Sequence, residues 1–144
     1  MREILFRAKR LDNGEWIEGD LITYETGEVA ILKKKFSKYG CEATEISHRI
    51  RVNPKTICQY TGLTDKNGNK IWENDICKCL KVSEWYNDEF ISKMEWIDYG
   101  WIFDVPSLNC MMPLCEFDIN QNWLSHIPEI EVLGNIFDNP ELLS

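Results

Sequence analysis

Histidine is nearly missing from this chain: 144 residues carry two, His48 and His126. A Cys–His nucleophile would need one of these two. Glycine-rich phosphate loops are absent, as are G-x-S-x-G and H-E-x-x-H, so the common nucleotide, esterase and metalloprotease signatures are missing. No apolar run approaches the roughly 18 residues of a membrane span. The opening MREILFRAKR is broken by charge every few residues, unlike a signal peptide, and the expected location is the cytoplasm. Positive charge is also short, at 16 Lys and Arg against 24 Asp and Glu. A chain at net −8 repels phosphate backbones overall, so nucleic acid is not the first partner to expect.

Apolar and aromatic residues are plentiful. With 44% hydrophobic residues and six tryptophans the chain is no disordered segment. Its length fits one domain or two small lobes sharing a core. In a reducing compartment the six cysteines are expected as free thiols, each a small buried hydrophobe, rather than as a disulfide framework. Charge is uneven. Residues 1–59 hold 11 Lys/Arg against 9 Asp/Glu, a balance of +2, whereas 60–144 hold 5 against 15, a balance of −10.

The dominant period is two, the mark of strands. ISHRIRV alternates Ile46, His48, Ile50 and Val52 with Ser47, Arg49 and Arg51, a half-buried strand with a basic outer face, ended by Asn53-Pro54. EVAILKK reads as the returning arm of a hairpin turning near Thr26-Gly27. ICKCLKV, ISKMEWI and WIFDV follow as short antiparallel strands, with turn signals at Asn87-Asp88 and Tyr99-Gly100. Such a meander can curl into a small barrel. Prolines 106, 113 and 128 exclude long regular elements from about 106–128, apart from a short helix near DINQNWLSH capped by Asp118. EIEVLGNIF reads as a last strand, and DNPELL as a closing helical turn with Pro140 at its first position.

One phrase occurs twice. NGEWIEGDLI from Asn13 and NGNKIWENDI from Asn67 share Asn-Gly, an apolar pair with Trp and Ile, then Glu, Gly or Asn, and Asp. Asn-Gly is the strongest short-range hairpin signal, so Asn13-Gly14 and Asn67-Gly68 are expected in type I′ turns. Gly19 and Asn74 are expected in left-handed bends pinned by the neighbouring Asp20 and Asp75, and Gly134 joins the same set of turn residues. The competing reading makes Asp20 and Asp75 an acid–base or metal-binding pair, but no histidine or third carboxylate is patterned around them.

Three blocks, REILFRAKRLDNGEWIEGDLI, ICQYTGLTDKNGNKIWENDI and EVLGNIFDNPELL, together resemble the YopX family, small proteins encoded in bacteriophages and prophages of mainly Gram-positive bacteria. They cover about 54 of the 144 residues, in order. Two departures stand out: Asn74 where the family usually has Gly, and ICKC where it has a Val-rich strand. The resemblance implies an SH3-like β-barrel over the second half and a bacterial cytoplasmic setting. It brings no activity and no catalytic residue.

The remaining sites are weighed on chemistry. Cys77-x-Cys79 with Cys110-x4-Cys115 is a candidate zinc quartet, though Cys-x-Cys on a strand is not the usual knuckle, and buried thiols are the competing reading. No motif sets a base beside a thiol, although His126 lies between Cys115 and the last strand. Lys33, Lys34, Lys35 and Lys38 with Arg49 and Arg51 form a candidate nucleic-acid face, against which stands a lysine-guarded edge strand. Trp85, Tyr86, Trp96 and Trp101 crowd the second half. A barrel that small hardly buries them all, which points to a protein interface.

The expectation is a mainly β protein with little helix: an N-terminal β-hairpin lobe at 1–59, and an SH3-like barrel at 60–144 with an irregular insertion near 106–128. It is expected to be no enzyme, to need no cofactor or metal, and to act as a protein-interaction module that associates with itself, its partner a host or phage protein. The alternative is a nucleic-acid-binding accessory protein using the basic face.

Overall fold

The computed structural model describes residues 3–33, 49–82, 87–97, 100–105, 110–113 and 129–143. These form eleven antiparallel strands and two short 3-10 turns, and the chain divides into two compact units, 1–60 and 61–144. No helix among the described residues is long and apolar enough to cross a membrane.

The first unit contains β1 (Phe6–Lys9), β2 (Trp16–Thr23), β3 (Val29–Leu32), β4 (Arg49–Val52) and the start of β5 (Cys58–Thr64). Pairing alternates side chains between two faces. Ala8 faces Ile17, Leu21 faces Ile31, and Val29 faces Val52. Ala8, Ile17, Val29, Ile31 and Val52 make a buried core with Phe6, Leu21, Ile50 and Ile57 packed on it. Arg49 and Arg51 point outward as their alternation requires.

The free edge of β1 is matched along its length by residues 51–60. Leu11 N–H donates to the Arg51 carbonyl, Asn53 N–H to that of Lys9, and Tyr60 N–H to that of Leu5. Arg10 bridges Val52, and Phe6 pairs with Gln59. Between these contacts the chain makes a 3-10 turn at Pro54–Thr56, capped by the Asn53 side chain. The turn lifts the backbone out of the ladder, and a side chain fills the gap. Lys9 N–H donates to Thr56 Oγ1 at 2.9 Å, and that hydroxyl donates to the Asn53 carbonyl at 2.8 Å. Since β4 also pairs with β3, the strands β1, β2, β3 and β4 follow one another round to meet β1 again at its end.

The second unit holds the rest of β5, then β6 (Lys70–Trp72), β7 (Asp75–Val82), β8 (Asn87–Ile97), β9 (Gly100–Val105), β10 (Cys110–Pro113) and β11 (Glu129–Asn135). The sheet order is β10-β9-β8-β7-β11. β8 serves two neighbours in succession: Asn87–Lys93 pair with β7, and Met94–Ile97 pair with β9. Ile71, Cys77, Cys79, Phe90, Met94, Trp101 and Ile130 form its core. Among the described residues β10 and β11 stand at opposite ends of the order and no pairing closes a barrel. The structure therefore carries a mainly β fold of two antiparallel sheets.

Several local expectations resolve differently. Asn87 and Asp88 pair with Val82 and Lys81 inside the ladder, so the turn lies before them. Neither Asn13 nor Asn67 has positive φ, whereas Gly14 (73°) and Gly68 (83°) do. The loops are longer than a two-residue turn. Asp65 N–H donates to the Asn69 carbonyl and Gly68 N–H to that of Asp65, a three-residue loop with one left-handed residue. Tyr24, Gly27 and Glu28 repeat the same bonds at the other hairpin. Gly19 is not in a bend but within β2, where a Cβ would collide with the Leu32 carbonyl. Asn74 does take the left-handed conformation, at φ 66°. The repeated phrase thus builds two different structures. The short helix expected at Asp118 lies outside the described residues, while Pro140–Leu143 forms a 3-10 turn.

Candidate functional site

Alternation along β8 sends Phe90, Ser92 and Met94 to the buried side, and Trp96 continues that row. Its partner across the ladder is Trp101 on β9. The two indoles meet edge to face, with ring centroids 4.9 Å apart and planes at 73°, the arrangement favoured by aromatic quadrupoles. Their environments differ sharply: Trp101 is 8% exposed and belongs to the core, while Trp96 is 47% exposed. The Trp101 Nε1–H is buried and has no hydrogen-bond partner among the described residues. The apolar row therefore runs out past its cover at this end of the hairpin. On the opposite side of β8, Lys93 and Glu95 form an ion pair at 2.6 Å. Trp85 and Tyr86 lie outside the described residues.

The basic face is less uniform than its sequence. Arg49 and Lys33 are exposed and make no ion pair or hydrogen bond with their side chains among the described residues. Arg51, by contrast, is bound to Glu28 at 2.5 Å. Lys34, Lys35 and Lys38 lie outside the described residues. A second cationic cluster escaped the sequence reading. The Arg7 guanidinium lies 4.6 Å from the Trp16 ring centroid and the Lys9 ammonium 5.4 Å from it. Lys9 stands directly opposite Trp16 in the ladder, with Arg7 two residues along, so the cations reach one ring from the same face of β1. The available signal was the alternation Arg7-x-Lys9 across a hairpin from Trp16.

Cys77 and Cys79 share one face of β7, opposite Ser92 and Phe90 on β8 and Val132 and Ile130 on β11. Both are fully buried. Burial pushes the Cys79 thiol up to about 12. Cys77 is raised further, by burial first and then by Cys79, Asp75 and Asp65. Burial thus favours the neutral thiol over the nucleophilic thiolate at both positions. Among the described residues no group of three or more His, Cys, Asp or Glu is placed to hold a metal. Cys110 opens β10 opposite Val105, and Cys115, His48 and His126 lie outside the described residues.

Two buried carboxylates, Asp65 and Asp75, act as backbone partners. Asp75, 1% exposed, accepts the Trp72 N–H at 2.8 Å across the turn made by Asn74. Asp20 sits in β2 opposite Leu32. Asp65, passed over in the sequence, joins two segments of backbone. It accepts Asn67 N–H, Asn69 N–H and, from β11, Val132 N–H at 2.9, 2.8 and 3.0 Å. Burial by itself raises its pKa; the bonds from Val132, Asn69 and Asn67 outweigh that and hold it below the ordinary value. Gly134 marks a register shift in β11, where a Cβ would collide with Asn139.

A family model described as YopX protein matches residues 5–144. No curated protein matches the chain. Three solved chains do. One is the YopX protein of Bacillus subtilis, 18% identical at a TM-score of 0.57, with 100% of each chain covered. Another is a protein of Enterococcus faecalis, 20% identical at 0.56, again with 100% of each chain covered. At these identities the likeness extends to the fold alone.

Proposed function

The chain belongs to the YopX family, and from that premise we propose that it is a non-enzymatic protein-interaction module that associates with copies of itself. The observation that carries this reading is Trp96, a large indole left 47% exposed on the core side of its strand. Tryptophan anchors of this kind concentrate binding energy at interfaces, because they bury a large rigid surface at low entropic cost. Cys77 and Cys79, spent on core packing, and Asp65 and Asp75, spent on holding backbone amides, support the non-enzymatic half.

An SH3-like curl of the second unit is part of the same proposal. Its support is the meander β7-β8-β9-β10 with β11 returning to β7, and the division of β8 between two ladders, the device by which a small sheet turns a corner. A phage or prophage origin and a place in the bacterial cytoplasm also belong here. Free thiols at Cys58, Cys77 and Cys79 are in keeping with a reducing compartment.

The test is the light-scattering mass of the purified protein beside that of Trp96→Ser. The expected result is an oligomer that the substitution dissociates. A monomer at every accessible concentration sinks the reading. Nucleic-acid binding is favoured by a separate observation, the exposed Lys33 and Arg49 without acidic partners among the described residues. It predicts a salt-sensitive gel shift that Lys33→Glu with Arg49→Glu abolishes.

A further inference from the structure

The repeated Asn-Gly pair shapes turns, and it also carries a chemistry. Where Gly follows Asn, the backbone amide attacks the side-chain carboxamide most readily, because glycine puts no Cβ in the way of the ring that forms. Asn13-Gly14 and Asn67-Gly68 are the two such pairs in the chain. As backbones they are closely matched. All four residues are exposed. Gly14 and Gly68 both have positive φ, at 73° and 83°, and a Cβ built on either meets nothing within 4 Å. Each glycine amide is held by one carbonyl, Gly14 N–H by that of Arg10 at 3.0 Å and Gly68 N–H by that of Asp65 at 3.1 Å.

The side chains are not matched. Asn13 is tied at both ends of its carboxamide: Oδ1 accepts the Glu15 N–H at 2.9 Å, and Nδ2 donates to Glu15 Oε2 at 3.2 Å. Its carbonyl carbon swings onto Gly14 N only after both bonds open. Asn67 is held through its backbone, the N–H donating to Asp65 Oδ1 at 2.9 Å, and its carboxamide makes no hydrogen bond among the described residues. Two exposed bonds at the lower end of their usual worth correspond to about a fivefold difference in how often a carboxamide is free.

We propose that Asn67 is a site of spontaneous deamidation in the folded protein, and that Asn13, its twin in the repeated phrase, is protected. Gly68 N attacks Asn67 Cγ, and the new N–C bond closes a cyclic imide. The Cγ–Nδ2 bond breaks, and that nitrogen leaves as ammonia with the proton given up by the Gly68 amide. Water then opens the imide. Cleavage of the nitrogen's bond to Cγ leaves an aspartate at position 67. Cleavage of its bond to the backbone carbonyl carbon leaves an isoaspartyl link, in which the chain runs on through Cβ and Cγ. That link inserts an extra backbone atom into the loop whose Asn67 and Asn69 amides Asp65 holds at 2.9 and 2.8 Å. It therefore disturbs the carboxylate that also holds Val132 of β11 at 3.0 Å.

The experiment incubates the full chain at mildly alkaline pH, in native buffer and in concentrated urea, and maps its peptides by mass spectrometry. Heavy-oxygen water marks the conversion that occurs during the incubation. The urea sample gives the rate each sequence has without the fold. The expected result is an Asn67 to Asn13 rate ratio about fivefold higher in native buffer than in urea. Glu15→Ala removes the acceptor of the Asn13 Nδ2, at an exposed position outside the core. It is expected to raise the native Asn13 rate about twofold and to leave Asn67 unchanged. A native ratio no higher than the urea ratio overturns the inference. So does an Asn67 rate that follows global unfolding across low urea concentrations, because the folded loop is then not the reacting state. A Glu15→Ala chain whose Asn13 rate stays at the parent value overturns the protection assigned to the carboxamide bonds.

Discussion

Replacing Asp65 is the sharpest test of how the second unit is held together. Its carboxylate joins two segments distant in sequence. One oxygen accepts the Asn67 and Asn69 amides of its own hairpin, and the other accepts the Val132 amide of β11. The residue is 7% exposed, so the charge is screened little by water. Asn67 and Asn69 are exposed, and water replaces much of what their amides lose. Val132 is half-buried, and its N–H forfeits a charge-assisted bond worth about 1.5–3 kcal/mol. Adding about 0.5 kcal/mol for each hairpin amide, Asp65→Ala is expected to cost about 3 kcal/mol. Asp65→Asn keeps an acceptor for the hairpin but sets an amide donor against the Val132 N–H, for a loss of about 2 kcal/mol. Urea unfolding of the three proteins measures both values, and native-state hydrogen exchange should show the Val132 amide losing protection first. The pH dependence has a definite sign. The folded pKa lies below the unfolded value of about 3.9, so the stabilisation is complete above that value and is lost as pH falls through the folded pKa. The gap between the parent and Asp65→Asn is thus expected to be constant from pH 7 to about 5 and to shrink below about 4. An Asp65→Asn loss under about 0.5 kcal/mol, with the gap unchanged in acid, would refute the account.

The remaining predictions concern the first unit and the thiols. Thr56→Val removes the hydroxyl that takes the Lys9 N–H where the 3-10 turn leaves the ladder, and is expected to cost about 1–2 kcal/mol in a urea titration. Gly19→Ala is expected to cost at least about 2 kcal/mol, since the methyl meets the Leu32 backbone rather than a movable side chain, and thermal unfolding reads it directly. Cys77 and Cys79, protonated and buried, should react with a thiol reagent only as fast as the second unit opens. Mass-spectrometric mapping of labelled sites against urea checks this, and rapid labelling in native buffer would contradict their placement.

Much of this protein is decided by short-range chemistry and is legible in the chain itself. The period-two alternation of Ile50 and Val52 against Arg49 and Arg51 marks β4. Thr26-Gly27 and Asn67-Gly68 mark hairpins because a glycine is needed at positive φ. Asn74 beside Asp75 spells a left-handed residue pinned by its neighbour, and the structure makes that bond to Trp72. The three family blocks belong to the same class of information. Other features depend on register between segments far apart, which local alternation does not report. Trp96 and Trp101 read alike in the chain, yet one is covered and the other is not, because the buried row of β8 outruns its cover. Asp65 becomes a structural carboxylate only when Val132, 67 residues away, is brought within 3.0 Å. Gly19 looks like a bend and is a strand residue, required by the approach of the Leu32 backbone. Arg51 meets Glu28 once β3 and β4 are in register, whereas Arg49 at the other end of the same strand has no ion-pair partner among the described residues. Alternation assigns each side chain a face; only the paired strands decide what stands on the other side of it.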